Sequence, residues 1–295
     1  METITEQFPP LELGLLQEKI NNFAKFSLVE KHSFISELVR AHPLLSMEFT
    51  AGSIFRRARK IGRGDYPSSV QDLLWRVLDV PSVGRANPEG FPVLYVADRP
   101  ETAFSETHVR DDYILLSELR IRNGAKCRIA PIGEMLQIQR TGRGFLSGDG
   151  SPTIDKMLNV CERREVQSLL IADAFLFECL VEDDDRYLIS SFVAKEVFEK
   201  NRSISAVAFP SVRQHGAINF AIRTEDFWNS WGVFAARRMH VHHLACGYYD
   251  TQQTEHVVEI GSGGALVWEK GVVENNVARA FQPPWHPNMR SDLES

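Results

Sequence analysis

The chain has little that would tie it to a membrane, a metal or a nucleic acid. Nowhere in its 295 residues does an apolar run approach the ~20 residues needed to cross a bilayer. The opening METITEQFPP has no basic stretch followed by an apolar core, so no secretory leader is read there. A cytoplasmic location with reduced thiols is the expectation. The cysteines number four (Cys127, Cys161, Cys179 and Cys246) and form no C-x-x-C pair, which removes support for a zinc site built on thiolate pairs. Basic charge is in deficit, 33 Lys+Arg against 39 Asp+Glu for a net −6, so a surface that coats duplex DNA is not expected and no nucleic-acid partner is read. A local basic pocket for a phosphorylated small molecule remains compatible with that balance. Also missing are a G-x-G-x-x-G turn, a Walker A loop, a G-x-S-x-G elbow and any internal repeat.

What is present is an ordinary globular composition, 43% hydrophobic and 24% charged, long enough for one large domain or a core with appendages. Pattern divides it into three parts. Residues 1–49 are read as an N-terminal helical segment. Leu13, Leu16, Ile20 and Phe23 recur at helical spacing, Ser27 and Glu30 fit a capping box, and Pro43 closes a second helix faced by Phe34, Ile35, Leu38 and Val39. Together they predict a helical hairpin.

Residues 50–225 alternate strand and helix signals. Strands are predicted over 92–97, 113–121, 127–132, 205–209 and 217–222. A short helix over 100–109 is expected to start on a capping Asp98 with an early Pro100. Residues 140–152 read as a polar glycine-rich loop, 154–180 as one helix and 187–200 as an amphipathic helix. Residues 226–295 are richer in Trp, His and β-formers. They predict a β-rich extension with a turn at Gly261–Gly264 and an irregular end from Gln282.

One segment is informative for chemistry. A glycine-bracketed loop carries Arg85 and Asn87, feeds a strand bearing Tyr95, and leads to a helix bearing Glu106. A guanidinium fork suits phosphate oxygens, an Asn amide suits hydroxyls, and a Tyr face stacks on a heterocycle. A carboxylate beside them can stabilise a developing oxocarbenium ion. The set suits a ligand with a phosphate, a sugar and an aromatic ring, although a plain loop–strand–helix unit reads the same way. Two further pieces lie far off in sequence. Phe55-Arg56-Arg57-Ala58-Arg59-Lys60, if extended, points Arg57 and Arg59 to one face and Arg56 to the other, or is simply a solvated basic stretch. Ser211 follows a strand as a turn serine or a functional hydroxyl, and Asn219 lies in the next strand. His240, His242 and His243 form a cluster without an adjacent acidic or thiol residue in sequence. A packing or surface role is expected there, and no metal site.

Taken together, four blocks in order resemble the RES-domain family: FRRAR at 55–59, GRANPEGFPVLYVADRPETAFSE at 84–106, YLISSFVAKEVF at 187–198 and AFPSVRQHGAINFAI at 208–222. The resemblance implies an α+β fold like the ADP-ribosyltransferase toxins, with a split mixed β-sheet core and surrounding helices. It implies cleavage of the nicotinamide–ribose bond of NAD by hydrolysis or phosphorolysis, with NAD as consumed substrate and no resident cofactor. Transfer of ADP-ribose to a macromolecule and non-catalytic NAD sensing are the alternatives. It places the family Arg, Glu and Ser on Arg57, Glu106 and Ser211, with Arg56 and Arg59 close rivals for the first. Substrate contacts fall on Arg85, Asn87, Tyr95 and Asn219. Ala86 stands where compact toxin members tend to carry Trp, so the chain is similar to a longer branch with terminal extensions. Inorganic phosphate, a protein partner or inhibitor, and a second copy of the chain are the further partners considered.

Overall fold

The computed structural model describes residues 2–74, 83–181, 187–225, 227–271 and 275–277. In chain order the described strands are β1 (Met47–Phe49), β2 (Ile54–Ile61), β3 (Val93–Ala97), β4 (Asp111–Ile121), β5 (Cys127–Pro131), β6 (Ile204–Pro210), β7 (Ile218–Arg223), β8 (Trp231–Ala245), β9 (Tyr248–Ile260), β10 (Leu266–Lys270) and β11 (Asn275–Val277). Internal contacts gather the chain into two units, each stitched from separate stretches. One comprises 1–48, 81–93 and 128–209; the other comprises 49–80, 94–127 and 210–295. The chain is mixed α/β, with a parallel β5–β6 pair in the first unit and antiparallel ladders in the second. Among the described residues no helix is long and apolar enough to cross a membrane.

The first unit is mainly helical. Helices Leu13–Asn22 and Leu28–Ala41 form as their spacing predicts, and the Ser27–Glu30 capping box closes with Glu30 accepting from the Ser27 N–H at 2.7 Å. The short helix Ile4–Gln7 before them carries a second capping box, on Thr3 and Glu6, which the sequence reading did not single out. Phe34 packs its ring 5.7 Å from Phe175 of the helix Arg163–Val181, and Phe23 sits edge-on to the same ring at 5.0 Å. Helix Ser190–Lys200 buries Val193, Ala194, Val197 and Phe198, while Ile189 and Phe192, also on the expected apolar face, are only half-buried.

The polar loop expected over 140–152 is present from Gly142 to Ser147, followed by a 3-10 turn at Gly148–Gly150, between the helices Glu134–Thr141 and Ser151–Asn159. The single helix expected over 154–180 is instead two, Ser151–Asn159 and Arg163–Val181. The loop turns inward around a buried carboxylate. Glu134 is 0% exposed, and the backbone N–H groups of Phe145, Leu146 and Ser147 all donate to it, Ser147 at 2.6 Å. A charge without water needs such donors, so the polar segment folds inward to supply them. Burial still raises the Glu134 pKa above its ordinary value. Gly144 permits the wrap, because a Cβ there would lie 2.0 Å from both Glu134 Oε1 and Ser147 Oγ.

In the second unit the strands are ordered β7-β3-β2-β4-β8-β9-β10, with β11 also on β9. Register sets Arg57 opposite Ser117 and Asp111 opposite His242. Phe55 anchors the core, its ring 5.0 Å from Phe220 and 4.9 Å from Trp231. Phe104, from the helix Pro100–Glu106, is buried with Ile114, Leu116, Met239, Val241 and Tyr249. The β-rich character read for 226–295 appears as β8 to β11, and a 3-10 turn at Ser262–Gly264 joins β9 to β10. The irregular end expected from Gln282 lies outside the described residues.

Two outcomes follow for stability. Glu134→Gln sets an NH2 group against backbone N–H donors and leaves one without an acceptor. It should cost about 1–3 kcal/mol in urea unfolding, with the midpoint lowered and the slope unchanged. Lys200 Nζ donates to the carbonyls of Val39, Arg40 and His42, closing the C-terminus of the helix Leu28–Ala41. Burial pushes its pKa down from 10.5 to about 8. Between those values the unfolded chain holds the proton that the folded chain has lost, so stability should rise with pH across that window. A Lys200→Met variant should lack that rise, as read from unfolding midpoints at successive pH values.

Candidate active site

Glu106 is the last residue of the helix Pro100–Glu106. Pro100 opens that helix, but the expected capping Asp98 does not cap it. Arg99 takes the N-cap position without a side-chain bond. Asp98 turns inward to 2% exposure, accepts the Thr102 hydroxyl at 2.9 Å and lies 3.3 Å from Arg99 Nε. Burial, ahead of its partners, raises the Asp98 pKa. Apolar contact through Phe104 and hydrogen bonding of Thr107 Oγ1 to the Ala58 carbonyl seat the helix on β2. Glu106 is thereby presented at a fixed point, about a third exposed.

Two residues from the β6–β7 region meet it there. Ser211 Oγ donates to Glu106 Oε1 at 2.6 Å, and Asn219 Nδ2 donates to the same oxygen at 2.6 Å. Ser211 is held by its own backbone, its N–H donating to the Ala217 carbonyl at 2.8 Å. Gly216, at φ +72°, turns the loop back so that Asn219 follows in β7. The Ser211 oxygen in turn accepts from the N–H groups of Arg213 and Gln214, each at 3.1 Å. A hydroxyl has one hydrogen and two lone pairs. All three are used, so Ser211 has no free proton for a substrate in this geometry. The partner of its hydroxyl hydrogen in the structure is Glu106 Oε1.

The other oxygen, Glu106 Oε2, faces Arg213 Nε at 3.8 Å, which is an ion pair and too long for a hydrogen bond. The sequence reading passed over Arg213. The only signal for it was its position two residues after Ser211 in the same turn. The result is an anion with one oxygen immobilised by two neutral donors and the other turned towards solvent and a loose cation. Such a group can stabilise positive charge developing in front of it.

The remaining candidates make other contacts. Arg57 and Tyr95 lie in the same unit, on β2 and β3, with Arg57 Nη1 donating to the Tyr95 carbonyl at 3.1 Å. Arg56 Nη1 instead bonds to the carbonyls of Ile54 and Asp98. Arg85 and Asn87 belong to the other unit. Arg85 Nη1 donates to the carbonyls of Leu180 and Val181, where the helix Arg163–Val181 ends, a favourable place for a cation. Asn87 is buried, and its N–H and C=O pair with Gly84 at 3.0 Å each, making a tight turn. Ala86 within that turn is 0% exposed, a site with no room for an indole.

The histidine cluster acquires an acidic neighbour that its sequence surroundings lacked. Asp111 Oδ1, across the β4–β8 ladder, lies 3.2 Å from both His240 Nε2 and His242 Nδ1. Among the described residues, no group of three or more His, Cys, Asp or Glu side chains is arranged to hold a metal ion.

Compared with known proteins, residues 74–232 match the RES domain family, a stretch of more than half the chain that includes Glu106, Ser211 and Asn219. A comparison with curated proteins finds no match. The chain belongs to the RES domain family, which points to chemistry on NAD.

Proposed function

From that membership and the geometry around Glu106, we propose that this protein cleaves the bond between nicotinamide and ribose in NAD, with water or inorganic phosphate as acceptor. The observation that carries the reading is the Glu106 carboxylate, gripped at Oε1 by Ser211 and Asn219 and open at Oε2.

The reaction suits that arrangement. The nicotinamide ring of NAD is already cationic and departs as a neutral base, so it needs no strong acid to protonate it. The demand is for an anion near the ribose as positive charge spreads over C1″ and the ring oxygen. Glu106 is that anion and also orients the acceptor. Ser211 and Asn219 act through it, because neutral donors fix the carboxylate without cancelling its charge. Arg57 and Tyr95 are assigned to the phosphates and to the face of the nicotinamide ring. NAD is consumed here, so a hydride-transfer cradle is unnecessary. The ADP-ribosyltransferase-like core implied by the resemblance is part of the same proposal.

Glu106→Gln keeps the shape and removes the charge. Nicotinamide release should fall by about 10²–10³-fold, while the thermal midpoint stays near the wild-type value. Near-full turnover by a folded variant would reject the assignment. Ser211→Ala removes one charge-assisted hydrogen bond, worth about 1.5–3 kcal/mol, so kcat should drop roughly 10- to 100-fold with KM little changed. Mass spectrometry of products from NAD, with and without phosphate, distinguishes the acceptors. Free ADP-ribose marks hydrolysis, ADP-ribose-1″-phosphate marks phosphorolysis, and label retained on protein marks transfer.

A further inference from the structure

Arg213 is the residue at this site that the proposed reaction leaves without a role. Its guanidinium stands 3.8 Å from Glu106 Oε2, with the Arg213 side chain 39% exposed and the Glu106 side chain 32% exposed. Among the described residues it has no other side-chain partner. Its backbone is fixed, since its N–H donates to Ser211 Oγ. Arg213 is therefore anchored at the main chain and loose at the tip, beside the one carboxylate oxygen without a hydrogen bond. The flanking Val212 is 56% exposed, so the turn faces water beside that tip.

We propose that Arg213 is a displaceable counter-ion of Glu106, and that the cationic ring and ribose of the substrate take its place. The idea rests on the function proposed above and adds a source of selectivity. Two cations cannot share one exposed carboxylate oxygen at close range without repulsion. A positively charged ligand must push the guanidinium away before it can use Oε2. A neutral ligand leaves the Arg213–Glu106 pair intact and gains nothing from the carboxylate. Arg213 thus lowers the affinity of the empty site for stray cations while leaving room for a substrate held by its other contacts. It is a positioning residue, acting through Glu106.

The sign of the effect separates this role from a direct substrate contact. An arginine that gripped the dinucleotide phosphates would weaken binding when removed. A competing counter-ion would strengthen it. The experiment compares wild type, Arg213→Gln and Arg213→Lys. It measures kcat/KM for NAD, whose ring is cationic, and Ki for the reduced dinucleotide, whose ring is neutral. Exposed ion pairs contribute about 0.2–1 kcal/mol, so Arg213→Gln should raise kcat/KM for NAD about 1.5- to 5-fold. Ki for the reduced form should stay unchanged, and Arg213→Lys should return kcat/KM towards wild type. A fall in kcat/KM with weaker binding of both forms would overturn the proposal in favour of a phosphate contact. Unchanged constants would make Arg213 a bystander and overturn it equally. A wild type that releases no nicotinamide would defeat the parent reading, and this one with it. An active wild type with either contrary result defeats only this one.

Discussion

One carboxylate oxygen with two neutral donors is the constraint on which the site depends. Glu106 Oε1 accepts from Ser211 and Asn219 at the same distance, 2.6 Å. Neither donor carries charge, so the side chain is pinned without being neutralised. The N–H groups of Arg213 and Gln214 occupy the Ser211 lone pairs and so orient its hydroxyl hydrogen towards Glu106. The anion is therefore oriented before any ligand arrives, and preorganised charge is what charge-stabilising catalysis requires.

The rest of the second unit holds that constraint in place. Phe104 buries the helix that carries Glu106 among Ile114, Leu116, Met239 and Val241. Phe55, Phe220 and Trp231 lock β2 and β7 into the core, and β7 carries Asn219. Asp98 sacrifices its place as a cap and is buried against Thr102 and Arg99, which ties the start of the same helix. The first unit shows the same economy of polar groups. Glu134 and Lys200 each collect several backbone partners in place of water.

Much of this was legible from local pattern. The capping box at Ser27, the strand ending at Ala97, the short helix after Pro100 and the β-rich stretch beyond 226 all follow from spacing, proline placement and β-former content. Legibility failed where the carboxylates of Glu134 and Asp98 were buried. The loop at 140–152 was legible, but nothing local announces the Glu134 carboxylate it encloses. Asp98 read as a cap, and burial drew it inside. Arg85 reads as a phosphate fork, and in the structure its Nη1 also closes a helix almost a hundred residues further along.

By itself, the amino-acid order determined the kinds of element present, the residue types available for chemistry and the family to which they belong, because periodicity, caps and motifs act over a few neighbours. Only the tertiary structure decided that Glu106, Ser211 and Asn219 share one hydrogen-bonded set, that Arg213 stands before the remaining oxygen, and that Asp111 joins His240 and His242. Those pairings each span more than a hundred residues along the chain. They depend on strand register and the direction of each side chain, and no spacing rule contains either.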